Sequence, residues 1–415
     1  MELPTEQEFL SIFADDCDLY EIFDKCQRRA TRKELQELDK YIGGFGYWTH
    51  IPAELKSEVI TFLDFRTRSS LACCSKTDYL IESKTPTRIF SLKIYGDYHT
   101  EEGEETSQLT KVTIDFNYDP IKKNFYQSHS NLHVEFMKNE EGKIDVEYDI
   151  RSPRRKDTNY KYTIENGQLL DIVNEYVERA IFRSRKTIKD IYLYQYDYPW
   201  NTSRIKNFKN CKSIDISNNS ETVLKTWLSK MDDQLDMIWF RGEDGDDTVE
   251  MSNDILSISK VQNAKHCFLS FVCLFSDESF LAFTGTQLVL STVLLSDDVI
   301  NQFFMRWARG KGVEDFEFLD IGVRQSDERN RAELLYGLRA KQWDTDFRQA
   351  QSAFCSETET NFSNGVKYQV YNRKVEGQSA TIIITPDRIR FMVTGKPKIV
   401  NKCVITEYCL PSYYR

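Results

Sequence analysis

Apolar residues recur at helical spacing over the first forty positions. Phe9, Ile12 and Phe13, then Leu19, Ile22 and Phe23, predict helix within 6–42, and Gly43-Gly44 closes the stretch. A second helical pattern opens at Pro52, a residue suited to a first helical turn because its missing N–H has no partner to lose there. Leu55, Val59 and Leu63 follow at four-residue steps, with Ile60 and Phe62 widening the stripe. Asp64-Phe-Arg-Thr breaks the pattern, Arg68 to Ser75 restarts a helix carrying Leu71, and a third short helix holds Tyr79, Leu80 and Ile81 before Pro86. Three short helices in about forty residues bury little surface alone, so this unit needs completion by a neighbouring domain or by a partner.

The period then changes to two. Val112, Ile114 and Phe116 alternate with polar residues, as do Leu132, Val134 and Phe136, and Ile144, Val146 and Tyr148. Asn139-Glu-Glu-Gly142 falls between the last two runs as a hairpin connection, so an antiparallel sheet with one buried face is expected over about 90–165. Leu169, Ile172, Val173, Tyr176, Val177 and Ala180 then mark an amphipathic helix. From about 188 to 325, short apolar strands alternate with helical stretches: Ile191–Tyr194, Ile214–Ile216, Met237–Phe240, Phe268–Phe271 and Phe316–Ile321. Their separation is roughly that of leucine-rich repeats, about 20–29 residues, in degenerate form. A last stretch, 365–395, reads as strands, with Glu376-Gly377 as a turn and Ala380–Ile384 buried. The fold class expected is α+β: a short-helix unit, then an antiparallel sheet and a leucine-rich-repeat-like β/α layer.

The order of residues in the helical unit narrows its identity. An apolar-Pro pair (Ile51-Pro52), then Glu54-Leu55, Val59-Ile60, Leu63-Asp64 and a helix leading to Ser75-Lys76 resembles the F-box. Ile51 stands where that family usually has Leu, and Cys73-Cys74 where it often has Val-Cys; both keep apolar bulk. The resemblance implies that Ile51, Pro52, Leu55, Val59, Ile60, Leu63 and Leu71 face a Skp-type adaptor. Further along, the segment from Leu288 through Trp307-Ala-Arg-Gly310 to Ile321, and Arg373-Lys-Val-Glu-Gly-Gln-Ser-Ala-Thr-Ile382, resemble the F-box-associated domain of nematode F-box proteins. Arg66-Thr-Arg-Ser-Ser-Leu71 and Cys74-Ser-Lys76 resemble the nematode F-box variant. The implied division is an N-terminal helical segment over 1–46, the F-box over 47–86 and a target-binding domain over 87–415. The implied role is a non-catalytic substrate receptor of a Skp–cullin–F-box ubiquitin ligase, joining a Skp adaptor and cullin-based ligase to an unnamed target protein. The alternative is an interaction scaffold independent of ubiquitin, with the helical unit serving as internal packing.

Composition sets limits on other classes. Of 415 residues, 40% are hydrophobic and 13% aromatic, as in a folded chain, and the net charge of -10 argues against a nucleic-acid partner. The acidic start lacks the apolar core of a signal peptide, and no run nears the roughly 18 apolar residues of a spanning helix, so no membrane partner and a cytoplasmic or nuclear location are expected. Ten cysteines are scattered without a disulfide or zinc framework. His266-Cys267 with Cys273, and Cys403 with Cys409, lack zinc-site spacing, and Cys73-Cys74 are adjacent on one helix, so no metal or cofactor is expected. Glu243-Asp-Gly-Asp-Asp247 lacks a calcium loop's spacing and closing Glu. Arg151-Ser-Pro-Arg-Arg-Lys156 reads as an exposed loop between strands, and Arg183-Ser-Arg-Lys186 as a helix C-terminus. No phosphate loop, nucleophile elbow or dinucleotide fingerprint occurs, and none of the five histidines sits in a catalytic motif. An enzyme is therefore not expected.

Overall fold

The structure, a computed structural model, describes residues 48–411 except 62, 64–67, 69–70, 73, 87–88, 97–108, 117–129, 153–154, 185–187, 195–206, 209, 243–248, 324–328 and 401–402. The helix expected within 6–42 and the acidic loop 243–247 lie outside the described residues.

A 3₁₀ turn at Trp48–His50 leads into α1 (Ala53–Thr61), and α2 spans Lys76–Lys84. Between them Arg68, Leu71 and Ala72 are helical. The chain then enters a mixed α/β region built on one large sheet. Strand β1 (Ile89–Gly96) pairs antiparallel with β2 (Leu109–Phe116), which continues through β3 (Ser130–Lys138), β4 (Ile144–Ser152) and β5 (Arg155–Ile164) as an antiparallel meander. On its other edge β1 pairs parallel with β6 (Asp190–Tyr194), starting a parallel run. That run continues through β7 (Ser213–Ser217), β8 (Met237–Arg241), β10 (His266–Cys273), β11 (Gln287–Val293) and β12 (Phe318–Val323), with the short β9 (Glu250–Met251) also on β10. Beyond β12 the sheet becomes antiparallel again through β16 (Arg388–Val400), β15 (Ser379–Ile384), β14 (Val366–Tyr371) and β13 (Lys341–Gln342). The second half of β16 pairs with β17 (Cys403–Tyr408).

Separate antiparallel and repeat-like layers are expected from the sequence; the structure joins them into one sheet, because β1 uses both of its edges. The parallel run also explains the helices. A parallel neighbour cannot be reached by a tight turn, so the chain must cross over one face. It does so through α3 (Leu169–Ser184) before β6 and α4 (Glu221–Lys230) before β8. The pair α5 (Asn253–Leu256) and α6 (Ser259–Gln262) precedes β10, α7 (Asp277–Leu281) precedes β11, and α8 (Asp297–Ala308) precedes β12.

Alternation divides each strand between two environments. Ile191 and Leu193, Ile214 and Ile216, Ile238 and Phe240, Cys267 and Leu269, Leu288 and Leu290, and Leu319 and Ile321 are all buried in one cluster with the crossover helices. Phe391 of β16 closes this core, its ring centroid 4.8 Å from Phe304 and 5.1 Å from Trp307 of α8. The Trp307-Ala-Arg-Gly310 motif is the end of α8: Gly310 has φ of 65°, and its N–H donates to the Trp307 carbonyl, a left-handed cap that glycine adopts without strain. Next to Leu319, Phe318 faces the other way. It joins Trp343, Phe354, Ile383, Met392 and Leu410 in a second core, roofed by α10 (Thr345–Ala350) and α11 (Ser352–Asn361); a single turn, α9 (Arg331–Leu334), precedes them. Asp320 ties the parallel and antiparallel parts together, accepting from Arg388 Nε at 2.7 Å and Arg390 Nε at 3.1 Å.

Two expectations need correction. The basic run 151–156 is not a loop: Arg151 and Ser152 end β4, Arg155 and Lys156 begin β5, and only residues 153–154 lie between the strands. The final strand stretch does not stop at 395, since β16 runs on to Val400 and returns as β17.

Phe391 is fully buried and ringed by aromatic partners, so Phe391→Ala leaves a cavity costing about 3–5 kcal/mol. Phe182→Ser, at a side chain 78% exposed on α3, should stay within about 0.5 kcal/mol. Urea unfolding of the full chain checks both, and similar losses for the two variants would refute this placement of the core.

Candidate docking surface on the helical unit

Helix α1 is inside out. Its sequence, Ala-Glu-Leu-Lys-Ser-Glu-Val-Ile-Thr, puts Leu55 and Val59 one turn apart, and Lys56 and Ile60 one turn apart on an adjacent stripe. The second stripe is the buried one: Ile60 has no exposure and Lys56 only 5%, while Leu55 is 57% and Val59 44% exposed. Pro52 is exposed at the helix entry, where its carbonyl accepts from the Lys56 amide.

Charged partners across α2 explain the choice of face. Lys56 Nζ donates to Asp78 Oδ1 at 3.3 Å and lies 5.2 Å from the centre of the Trp48 ring. The same oxygen accepts from Trp48 Nε1 at 3.0 Å, and Asp78 Oδ2 accepts from Ser75 Oγ at 2.8 Å. Ser75 is also the N-cap of α2, its hydroxyl accepting from the Asp78 amide at 3.0 Å. One carboxylate thus joins the 3₁₀ turn, α1 and the start of α2.

A second knot holds the far end. Arg68, 2% exposed, donates from Nε to Glu82 Oε1 at 3.0 Å, from Nη2 to the Thr85 carbonyl and from Nη1 to the Pro86 carbonyl, each at 2.7 Å. Ser57 and Thr85 hydroxyls meet at 2.9 Å. Buried charges are tolerated only when paired and hydrogen-bonded, and these are both. Turning Leu55 and Val59 inward would strip Lys56 from Asp78 and expose Ile60.

The sequence-derived set Ile51, Pro52, Leu55, Val59, Ile60, Leu63 and Leu71 is therefore split. Pro52, Leu55 and Val59 lie on the open surface; Ile51 and Leu63 are half-buried; Ile60 and Leu71 are within the unit. Leu80 on α2 is exposed as well, at 41%. Sequence reasoning missed Lys56, Arg68, Asp78 and Glu82, which define the surface from behind. Their signal was Lys and Arg at interior positions of short helices, which ordinarily marks a solvent face.

The other constellations lack a reactive arrangement. Alternation along β10 puts His266 and Cys267 on opposite faces, so they cannot share an ion. Burial pushes the Cys267 thiol up to about 12 and the Cys273 thiol well up, which disfavours the thiolate a metal needs. His266 is held below the ordinary imidazole range by burial, then by Lys265. His133 shares a 3.0 Å hydrogen bond with Thr113 across β3 and β2. On the opposite face of β7 from the core, Asp215 accepts from Tyr194 Oη at 2.6 Å and from both Nε and Nη2 of Arg241, at 3.1 and 2.7 Å. Burial pushes that carboxyl up despite these partners, but both oxygens are occupied, and among the described residues no second carboxylate, histidine or thiol is hydrogen-bonded to it. Among the described residues no cluster of three His, Cys, Asp or Glu is placed to hold a metal ion, and no helix is long and apolar enough to cross a membrane.

Over 398 residues the chain is 26% identical to an uncharacterized F-box protein of Caenorhabditis elegans, covering 94% of this chain and the whole of that protein. The chain resembles a nematode F-box protein over nearly its full length. No family model and no solved structure matches the chain.

Asp78→Ala leaves Lys56 buried without its counter-charge, a change costing about 3–5 kcal/mol, whereas Lys56→Met with Asp78→Leu removes both charges and should cost far less. Limited proteolysis of the full chain checks this: cleavage within 53–84 should accelerate at least a hundredfold in the single variant and much less in the double one. Equal rates would show that the pair does not hold α1 in place.

Proposed function

We propose that the chain is a non-catalytic substrate receptor of a Skp–cullin–F-box ubiquitin ligase. The observation that carries this reading is the outward apolar stripe of α1. A helix that buries a lysine and shows a leucine and a valine to solvent has a face made for another protein. Covering a Leu or Val side chain is worth about 1.5–3 kcal/mol each, so Pro52, Leu55 and Val59 supply a substantial part of an interface. Ile51 and Leu63 flank it, and Ile60 and Leu71 brace it from inside. The resemblance to an F-box protein supports a Skp-type adaptor as the partner class.

The rest of the reading concerns the division of labour. The F-box comprises 47–86, and the target-binding domain runs from 87 onward, where β1 begins the continuous sheet. The parallel run from β6 to β12 is a degenerate leucine-rich-repeat-like layer, its strands starting about 20–30 residues apart. The cytosol or nucleus is where such a ligase subunit would work. Its action is proximity: a target held beside a charged conjugating enzyme experiences a high effective concentration of ubiquitin without chemistry from this chain. The ubiquitin-independent scaffold treats the helical unit as internal packing, and the open Leu55–Val59 stripe speaks against it.

Leu55→Asp with Val59→Asp should abolish capture of a Skp-type subunit by the full chain. Because both side chains are already exposed, the melting temperature should fall by no more than about 2–4 °C. Undiminished capture by the double variant would overturn the assignment.

A further inference from the structure

The ribbon formed by the end of β16 and β17 is a second unfinished surface. β16 lies between β12 and β15 as far as Met392, and its ladder with β15 ends at Gly395; beyond that, among the described residues, β16 pairs only with β17, from Gly395 opposite Tyr408 to Val400 opposite Cys403. The two strands therefore project past the sheet. Their apolar side chains are open: Ile399 is 77%, Ile405 46% and Val404 38% exposed. The base is held firmly, since the turn at Gly377 approaches so closely that a Cβ there would lie 2.9 Å from Val404 Cγ1 and 3.2 Å from Pro397 Cα.

The two strands differ in how their edges are protected. Exposed edges are ordinarily blunted by lysine and proline, and β16 carries Lys396-Pro397-Lys398. In contrast, β17 reads Cys-Val-Ile-Thr-Glu-Tyr, β-branched at its centre, with neither lysine nor proline. Two residues separate the strands, so the connection closes on the Val400–Cys403 pair as a hydrogen-bonded pair. The alternation of an antiparallel ladder then turns the N–H and C=O groups of Val404 and Thr406 away from β16. Pro397, opposite Thr406 and without an N–H to give, fits this register. What satisfies a row of outward peptide groups is another extended strand.

Charge selects its chemistry. Residues 395–408 hold three lysines, Lys396, Lys398 and Lys402, against one glutamate, Glu407, on a chain of net charge -10. Lys398 reaches Glu407 at 2.7 Å, leaving a positive excess. Two ribbons of the same kind would bring their lysines together, which disfavours a second copy of this chain. We propose that β17 is the docking edge for a target protein's extended, acidic, β-branched segment, which adds as a strand along Val404–Thr406. This rests on the reading of the C-terminal domain as target-binding and gives it a location.

The probe is a labelled octapeptide of alternating valine and threonine between aspartates, titrated into the full chain and read by fluorescence anisotropy. Its comparison has proline at the two central positions. Thr406→Pro removes an outward N–H without touching the β16–β17 ladder, and Val404→Glu tests the same edge by charge, placing a carboxylate against the acidic peptide. The proposal expects saturable binding of the first peptide, at least tenfold weaker binding of the proline peptide, and at least tenfold loss in either variant with unchanged melting temperature. Absent binding, equal binding of the two peptides, or full affinity in both variants would overturn it. So would sedimentation of the unaltered chain as a dimer that Thr406→Pro dissociates, because a second copy would then be the occupant. Capture of a Skp-type subunit, measured on the same samples, reports separately on the adaptor reading.

Discussion

Lys56 and Asp78 form an ion pair almost wholly removed from solvent, and Arg68 and Glu82 form another, its acid one turn further along α2. Charges in that position hold a unit together by geometry more than by net energy: swapping them for apolar residues would cost little, while removing one partner would cost much. Their consequence here is orientation. By filling the interior with paired charges, hydrogen-bonded carbonyls, Ile60 and Leu71, the unit keeps Leu55 and Val59 free.

The sheet solves a different problem. A parallel run of strands needs helices over one face and leaves two edges to be closed. At one edge β1 turns the pattern antiparallel and a four-strand meander completes it; at the other, Asp320 locks β12 to Arg388 and Arg390 of β16. The second core, under α10 and α11, covers the opposite face just where that switch occurs. Among the described residues, the outer edge of β17 has no further strand partner.

Much of this was legible in the sequence because periodicity reports burial. Val112, Ile114, Leu132, Val134, Phe136, Ile144 and Val146 alternate and are buried; the strand centres at 191, 214, 238, 268 and 319 fall within the parallel run. Helix α11 escaped notice because Ser-Ala-Phe-Cys-Ser-Glu-Thr-Glu-Thr-Asn has few apolar positions, and its contribution rests on Phe354, Cys355 and Thr358 alone. The continuity of the sheet was hidden because edge pairing leaves no periodic signature. For α1 the pattern was read correctly as a stripe, but a stripe does not say which way it faces. That depended on Asp78 and Glu82, more than twenty and more than ten residues away from their partners Lys56 and Arg68, and ion-pair partners cannot be matched from composition.

Amide hydrogen exchange of the full chain, with and without a saturating Skp-type subunit, addresses the central claim most directly. New protection is expected in Ala53–Thr61 and Lys76–Lys84, concentrated on α1, with exchange in β14 to β17 unchanged. Protection confined to the sheet, or none at all in α1, would contradict it.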